Sequence, residues 1–297
     1  MIHFRQYLYT DNLFTGDYLL VRELLLKLNK PTYPLGWWDH QVTRPSFSAE
    51  YLSKFGLWFD DEQLVAIACV EESLGNGILC VLDSHSQLIN DMLDYAKGHL
   101  HDQGRLSLMI PDLDKGYQEA AARAGFIPTQ ERDTESIMQL DLKKLCYSLP
   151  NGFQIINMAD NYNGVQFERV MRRGFSGSRE ERTLSASDIL TIDRQFIRPF
   201  VNLDLQIAAV APDKTFAAFC GLWYTKGSPT VFIEPVVTDP DYQRMGLGKA
   251  VLYEALKRCV KLGAESAVVL SSIQFYFNIG FRPNSTSTWW KMNKSQQ

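Results

Sequence analysis

The same order of helices and strands is predicted twice along the chain, and this repetition limits the possible folds more than any other feature. Each half closes on a short helix, a Gly-Phe pair (Gly125-Phe126 and Gly280-Phe281) and a last strand, at 136–142 or 286–292. A recurring order of elements indicates repeated units. The sequence therefore predicts two copies of one unit, with two unrelated α/β domains of similar size as the alternative.

The length agrees with this division. At about 100–200 residues per domain, 297 residues suggest two domains. We predict domains at 1–147 and 151–297, joined by the polar turn at 148–152. The predicted fold class is α/β (α+β), with helices flanking a sheet in each domain.

Hydrophobic periodicity gives the expected elements. Helices are predicted at 16–29, 86–100, 117–124, 162–173, 185–195, 247–262 and 272–279. Strands are predicted at 57–60, 63–71, 78–82, 105–110, 136–142, 153–157, 204–211, 215–224, 230–238, 266–270 and 286–292. In this overlay the strand at 78–82 corresponds to 231–237. The aromatic pair Trp37-Trp38 lies in a predicted loop, where packing on its own domain is favoured over stacking on a ligand.

Composition narrows the class of protein. The net charge of −4 argues against a general nucleic-acid binder. The five cysteines form no C-x-x-C pair, which disfavours a disulfide framework or a zinc site and favours a reducing cytoplasm. We expect no metal, no signal peptide and no membrane span. All five histidines lie in the first third of the chain, so a base in the second half is expected to be a carboxylate, a tyrosine or water.

The most specific motif lies at 232–250, where a strand leads through a turn into a helix that begins with two glycines. Backbone N–H groups at a helix N-terminus favour an anion such as pyrophosphate. Gly246 and Gly248 allow close approach of a ligand, and Arg244 and Lys249 add positive charge. The glycine pair alone is weak evidence, because it matches neither a P-loop nor a dinucleotide fingerprint.

The context of this motif carries a family resemblance. Gln243-x-x-Gly246-x-Gly248, after a strand ending in Val-Val-Thr-x-Pro, resembles the acyl-CoA pyrophosphate loop of the GNAT superfamily of N-acetyltransferases. The later Phe275-Tyr276-Phe277-Asn278-Ile279-Gly280-Phe281 resembles the second signature of that family. The resemblance covers residues 151–297, and the duplicated layout resembles tandem GNAT proteins.

This resemblance implies two GNAT-like domains with mixed, mostly antiparallel sheets, and acetyl-CoA as acyl donor. It implies donor contacts from Val236, Val237, Thr238, Gln243, Arg244, Met245, Gly246, Leu247, Gly248, Lys249 and Ser271. Val236 to Thr238 would pair with the pantetheine arm, and an N–H of Val237 or Thr238 would polarise the thioester carbonyl. For Ser271 the alternative is helix N-capping by Ser271 or Ser272.

Two residues are the predicted catalytic groups. Tyr276 matches the tyrosine near the sulfur, as a general acid or a hydrogen-bond donor; its alternative is packing inside the short helix. Glu234 is the candidate base, since a carboxylate in an apolar strand is costly to bury and burial raises its pKa. Its alternative is a structural ion pair with Arg172 or Arg173. Strand alternation would place Glu234 on the face of Phe232 and Val236, opposite Ile233 and Val237. Pro235 cannot donate to a ladder, which the splayed GNAT sheet would tolerate.

The first half departs from the family pattern. Where the second half has its glycine pair, the first has the segment 84–93, with no glycine and the acidic Asp91. Ala121 or Ala122 stands opposite Tyr276. We expect a degenerate copy that has lost acyl-CoA binding and serves as core, interface and a wall of the acceptor cleft.

The predicted function is transfer of an acetyl group from acetyl-CoA to a primary amine on a small molecule or peptide, by direct attack. The alternatives are a non-catalytic acyl-CoA-binding sensor and a structural protein that binds no acyl-CoA. The arginines at 172, 173, 179 and 182 would form a lid or, preferably, a salt-bridged connection.

Overall fold

A single sheet of twelve strands runs through the protein in the computed structural model, which describes residues 1–10, 12–30 and 32–292. The first six strands are β1 (Ile2–Gln6), β2 (Gly56–Asp60), β3 (Gln63–Val70), β4 (Asn76–Val81), β5 (Ser107–Pro111) and β6 (Phe126–Gln139). The second six are β7 (Gln154–Asn157), β8 (Gln206–Val210), β9 (Phe216–Trp223), β10 (Thr230–Thr238), β11 (Ser266–Val269) and β12 (Arg282–Met292).

Eight α-helices of the described chain flank the sheet. The first half contributes α1 (Asp17–Leu28), α2 (Leu35–Thr43), α3 (Ile89–His99) and α4 (Lys115–Arg123). The second half contributes α5 (Gly164–Ser176), α6 (Ala186–Phe196), α7 (Leu247–Leu262) and α8 (Gln274–Asn278). Each half thus presents its helices and strands in the same order, and the predicted α/β repeat is confirmed.

The strand order shows how the two copies join. It reads β1-β2-β3-β4-β5-β12-β6-β11-β10-β9-β8-β7, so equivalent strands lie at mirrored positions. Most neighbours are antiparallel, while β4–β5 and β10–β11 are parallel. Both halves therefore have the predicted mixed, mostly antiparallel sheet, fused into one.

The last strand of each half lies beside a strand of the other half. β12 pairs with β5, and β6 pairs with β11. β6 and β12 also pair with each other over most of their length, which makes them the centre of the sheet. The boundary between 1–147 and 151–297 describes the order of elements along the chain; as a domain boundary it stays a prediction.

Helix α2 joins the halves on one face of the sheet. It packs on β9 and β10, and a Cβ at Gly36 would come within 2.6 Å of Phe232 Cβ and 2.8 Å of Trp223 Cβ. This close approach requires glycine. The sequence prediction of a loop here was wrong, but the predicted packing of Trp37 and Trp38 is confirmed because both are buried.

Three apolar clusters form the interior. One fills the first half and extends to Trp223, Phe232 and Trp289; the second surrounds α7; and the third lies under α5 and α6. α7 begins and ends at the predicted residues, 247 and 262, and Gly263 caps it with φ of 107°. All five cysteines are free. No helix in the described part of the chain is long and apolar enough to cross a membrane.

Candidate active site

A gap opens between β10 and β11 beyond their first residues. The two strands pair only from Thr230–Ser266 to Phe232–Val268. β10 then bulges between Ile233 and Val236, where the Glu234–Pro235 peptide is cis, and continues alongside β9 alone. The edge of β10 from Val236 to Thr238 therefore faces the gap.

The direction of the N–H groups on this edge follows from one hydrogen bond. Asp239 N–H donates to Ala217 O of the β9 side at 2.9 Å. Since N–H groups alternate along an antiparallel ladder, Val237 N–H also points toward β9. Those of Val236 and Thr238 point toward the gap. Val237 and Thr238 were the two residues whose N–H was predicted to polarise the thioester carbonyl, and of these Thr238 has its N–H directed toward the gap.

The bulge also changes which side chains share a face. Val236 packs with Ile233 in the cluster around α7, while Val237 packs with the cluster under α5. The predicted alternation, with Val236 on the face of Glu234, was wrong because the bulge shifts the register by one side chain.

The turn after β10 exposes a helix N-terminus. A 3₁₀ turn, Pro240–Tyr242, is followed by the exposed residues Gln243, Arg244 and Met245. Gly246 has φ of 81° and precedes α7, whose first turn has neither a side-chain cap nor an acidic residue. Leu247 is buried, and Lys249 is partly exposed in this first turn. The free N–H groups and the nearby cations make this end of α7 suited to an anion.

Gly248 brings this helix end against the edge of β10. A Cβ at position 248 would meet Thr238 Oγ1 at 3.1 Å and the Phe275 ring at 3.5 Å. The first turn of α7, the end of β10 and α8 therefore converge at the mouth of the gap.

A buried ion pair fixes the start of the turn. Arg173 of α5 donates from Nε to Asp239 Oδ2 at 2.6 Å and from Nη2 to Asp239 Oδ1 at 3.1 Å. Arg173 also contacts Asp241, and Arg169 contacts Asp239. Although burial raises the pKa of Asp239, its bonds with Arg173 and neighbours hold that pKa below its usual range. Arg172 and Arg182 also form ion pairs, with Glu168 and Asp188, consistent with the predicted salt-bridged connection.

Tyr276 and Ser271 lie on the other wall of the gap. Tyr276 on α8 is buried, and burial, together with Cys220 and the charge of Glu234, raises its pKa far above the ordinary value. The hydroxyl is therefore protonated at neutral pH. Ser271 Oγ accepts a weak hydrogen bond from Ile273 N–H at 3.4 Å, and its carbonyl accepts from Ser136 of β6. α8 begins at Gln274, so neither Ser271 nor Ser272 is its N-cap.

Glu234 lines a cavity of about 260 Å³ between the two halves. Its walls come from α5, α6, β9 and the segment that follows α2. Burial raises the pKa of Glu234 to about 7, with Arg44 lowering it and Glu72 raising it further. Within the described residues, neither Arg172 nor Arg173 forms an ion pair with Glu234, so the alternative prediction of such a pair was wrong. Trp223 Nε1 donates to the carbonyl of Glu234 at 2.7 Å, which anchors its backbone.

The first half supplies a histidine to this cavity, which the sequence did not predict. His40 of α2 lines the cavity with Glu234, and its ring lies 5.4 Å from that of Trp223, centroid to centroid. Burial lowers the pKa of His40 to about 3, so the ring is neutral. The absence of histidine from the second half had suggested that none would be near, but α2 crosses between the halves. No local sequence signal reports this packing.

Comparisons with known proteins agree with this geometry. A family model, Acetyltransferase (GNAT) family, matches residues 175–281, which include the β10 edge, the turn, α7 and α8. The C-terminal half of this chain is a GNAT domain. A search of curated protein sequences finds no match to the chain.

Solved structures support the fold of the whole chain. A tandem GNAT protein from the clavulanic acid biosynthesis pathway superposes with a TM-score of 0.62 at 12% identity, covering 98% of both chains. A GCN5-related N-acetyltransferase from Sphaerobacter thermophilus gives 0.58 at 12% identity, covering 98% of this chain and 95% of that one. The N-myristoyltransferase of Saccharomyces cerevisiae gives 0.54 at 12% identity, covering 98% and 80%. The predicted tandem GNAT arrangement is confirmed.

The first half lacks the features of the GNAT turn. α3 follows a 3₁₀ segment, Asp83–Leu88, with no glycine at its start, and Asp91 lies in its first turn. Ala121, opposite Tyr276 in the repeat, is fully buried. A carboxylate at a helix N-terminus disfavours a bound anion. Among described residues, no group of three or more His, Cys, Asp and Glu side chains is placed to hold a metal ion.

Proposed function

We propose that the GNAT half is an acyl-CoA-dependent N-acyltransferase, most simply an acetyltransferase, that acts on a primary amine. One observation carries the proposal: the uncapped N-terminus of α7 lies at the end of the open β10 edge, with Glu234 on the same strand. An anion site, a strand edge that can bind an extended chain and a carboxylate with a raised pKa thus lie along β10 and the start of α7. The acyltransferases among the similar structures support this class of reaction.

Acyl-CoA would occupy the gap between β10 and β11. Its pyrophosphate would lie at the N–H groups between Gln243 and Lys249, with Arg244 and Lys249 contributing charge. Its pantetheine arm would pair with the N–H groups of Val236 and Thr238 that face the gap, as an added strand. Ser271 would border the gap from the β11 side.

The chemistry requires one proton to leave the amine and one to reach the sulfur. The amine nitrogen attacks the thioester carbonyl, Glu234 accepts the amine proton directly or through a water, and the carbon–sulfur bond breaks. Tyr276, protonated because of its burial, donates a hydrogen bond or its proton to the departing sulfur. A base works best when its pKa lies near the operating pH. Glu234, with a pKa of about 7, therefore suits the role better than His40, with a pKa of about 3.

Gly246→Glu tests the anion site. The substitution places a side chain at a position where φ is 81°, a backbone conformation that strains any residue with a Cβ. It also adds a negative charge at the helix N-terminus. Gly16→Glu is a matched control, because Gly16 is the N-cap of α1, has φ of 54° and also has open space around its Cβ position. Gly246→Glu should abolish acetyl-CoA binding in calorimetry, while Gly16→Glu should retain it.

Two results would contradict the proposal. Unchanged acetyl-CoA affinity in Gly246→Glu would remove the site assignment. Tight acetyl-CoA binding by the unaltered protein, with no transfer to any amine in a broad panel, would instead support the acyl-CoA sensor.

A further inference from the structure

A cavity of about 570 Å³ lies where β6 and β12 meet the first half. Its walls come from the loop between β3 and β4, the start of β5, and the strands β6 and β12. The volume is in the range of small-molecule sites, roughly 300–1,000 Å³. It has no role in the acyl-donor site.

Six carboxylates line this cavity against two cationic side chains. Three of them have cationic partners: Asp102 with Arg105, Glu131 with Lys291, and Glu72 with Arg44. The other three are Glu71, Asp133 and Glu135, and none of them forms a salt bridge within the described residues. Burial first, and then the charges of Asp133 and Glu72, raise the pKa of Glu71 to about 7, while Arg44 lowers it.

Glu135 is the group that points to a ligand. It is 3% exposed, lines the cavity, and accepts a hydrogen bond at Oε1 from Asn284 Nδ2 at 2.6 Å. Its Oε2 is buried and has no hydrogen-bond partner within 3.5 Å among the described residues. Burial raises the pKa of the Glu135 carboxyl more than Asn284 and the nearby hydroxyls of Ser285 and Thr32 lower it. A buried carboxylate oxygen without a partner is costly. A cationic donor from a ligand would remove that cost.

Trp289 adds a second feature suited to a cation. Its indole Nε1 donates to Asp133 Oδ2 at 2.6 Å, and the residue lines the same cavity. This bond fixes Asp133 on the cavity wall. An indole ring among carboxylates is a setting suited to organic ammonium groups.

The cavity borders the proposed reaction site at two places. Leu270, which lines it, immediately precedes Ser271 on the wall of the gap. The Arg44–Glu72 ion pair, 2.7 Å long, joins the two cavities: Arg44 lines the one that contains Glu234, and Glu72 lines the acidic one.

We propose that this cavity binds an oligoamine, a chain with two or more ammonium groups, and selects it as the acyl acceptor of the GNAT half. Glu71, Asp133 and Glu135 hold the distal ammonium groups while a terminal amine reaches the thioester. This selection rests on the proposed function, but the binding of the oligoamine does not.

The test compares spermidine with butylamine, which has a single amine, as acceptors for acetyl-CoA. Spermidine should give the higher kcat/KM. Glu135→Gln and Asp133→Asn should each raise the KM for spermidine roughly ten- to a hundredfold, because each removes a charge-assisted hydrogen bond, and leave the KM for acetyl-CoA unchanged. Asp94→Asn is the matched control, since Asp94 is 77% exposed on α3 and does not line the cavity. It should change neither constant.

Each result decides the proposal. Equal use of butylamine and spermidine, or an unchanged KM for spermidine in both cavity variants, overturns the selection while leaving acyl transfer intact. If no amine is acetylated, the proposed function fails, and calorimetry with spermidine alone decides the cavity. If spermidine binds and Glu135→Gln weakens that binding at least tenfold, the cavity is an oligoamine site but does not serve as the acceptor site. If spermidine does not bind, both the oligoamine site and its acceptor role are refuted. Thermal melting shows whether Glu135→Gln is folded, and the isosteric amide keeps the oxygen that Asn284 contacts.

Discussion

Replacing Glu234 by glutamine separates its catalytic role from its effect on stability. The substitution keeps the shape of the side chain and removes its charge in the cavity between the halves. If Glu234 is the base, the rate of transfer falls. If burial of its carboxylate destabilises the fold, as its raised pKa indicates, the same variant becomes more stable at high pH. A merely structural ion pair predicts the opposite change in stability.

The size of the stability change follows from the pKa. Burial raises it from an ordinary 4.5 to about 7. The folded state binds the Glu234 proton more tightly than the unfolded state does. The stabilisation that results from this proton is therefore fully present below pH 4.5 and is lost as the pH rises through about 7. Each pKa unit corresponds to about 1.4 kcal/mol. The loss is thus about 3 kcal/mol at most, and we expect Glu234→Gln to exceed the original protein by about 1–3 kcal/mol at pH 8. Urea unfolding at pH 5 and pH 8 measures this difference.

The rate has its own pH dependence. Below pH 7 Glu234 is increasingly protonated, and at pH 6 only about a tenth of the molecules carry the base form. The value of kcat/KM should therefore rise about tenfold from pH 6 and level off above pH 8. Glu234→Gln should lose this inflection and about 10²–10⁴-fold in rate. Two acceptors with different amine pKa values provide the control, because an inflection that belongs to Glu234 stays at one pH.

Two outcomes would refute the reasoning. An inflection that persists in Glu234→Gln would assign it to the acceptor or to another group. A variant that loses stability at pH 8 would show that the carboxylate is paired in the folded protein. Acetyl-CoA affinity should be unchanged, which distinguishes loss of the base from damage to the donor site.

Three further predictions concern the walls of the gap and the turn that follows β10. Tyr276→Phe should lower kcat about 10–100-fold with little change in acetyl-CoA affinity; an unaltered rate would remove its role at the sulfur. Gly248→Val should weaken acetyl-CoA binding at least about tenfold, because a side chain there meets Thr238 Oγ1 at 3.1 Å; calorimetry measures it, and full affinity would show that the contact relaxes. Asp239→Asn should reduce unfolding free energy by about 2 kcal/mol, less than a fully broken buried pair because Arg173 keeps Asp241. In chemical denaturation the exposed-side variant Asp241→Asn should have the smaller effect, and an equal effect would contradict the buried pair as the anchor.

The elements of the donor site were predictable because their signals are local. α7 has an apolar stripe between a glycine-rich start and Gly263, and β10 is an apolar run interrupted by Glu234, so the predicted bounds of both elements agree with the structure. α2 was missed because Pro34 and Gly36 are typical of loops. There the glycine serves close packing on β9 and β10, a cause outside the helix.

The remaining errors come from contacts distant in sequence. β6 begins at Phe126, ten residues before its predicted start, because the polar stretch that pairs with β12 shows no apolar alternation. Alternation along β10 failed at the bulge beside Pro235. The lack of histidine in the second half led us to expect a carboxylate, a tyrosine or water as the base, although packing of α2 places His40 on the wall of the cavity that Glu234 lines. In each case the partner, rather than the segment itself, determines the local structure.

The first half contains the helix and the strand that contact the sheet of the GNAT half. Its phosphate-binding turn is absent, and the sheet loses nothing by it because that turn lies outside the strands. Its last strand, β6, covers β11 over four paired residues; without it β11 would be an unprotected edge next to the gap. α2 covers β9 and β10 and supplies His40 and the Arg44 segment to the cavity that contains Glu234. The first half is thus a structural part of the GNAT half, and substitutions at its contacts with β10 and β11 are expected to alter the proposed acyl transfer as well as the fold.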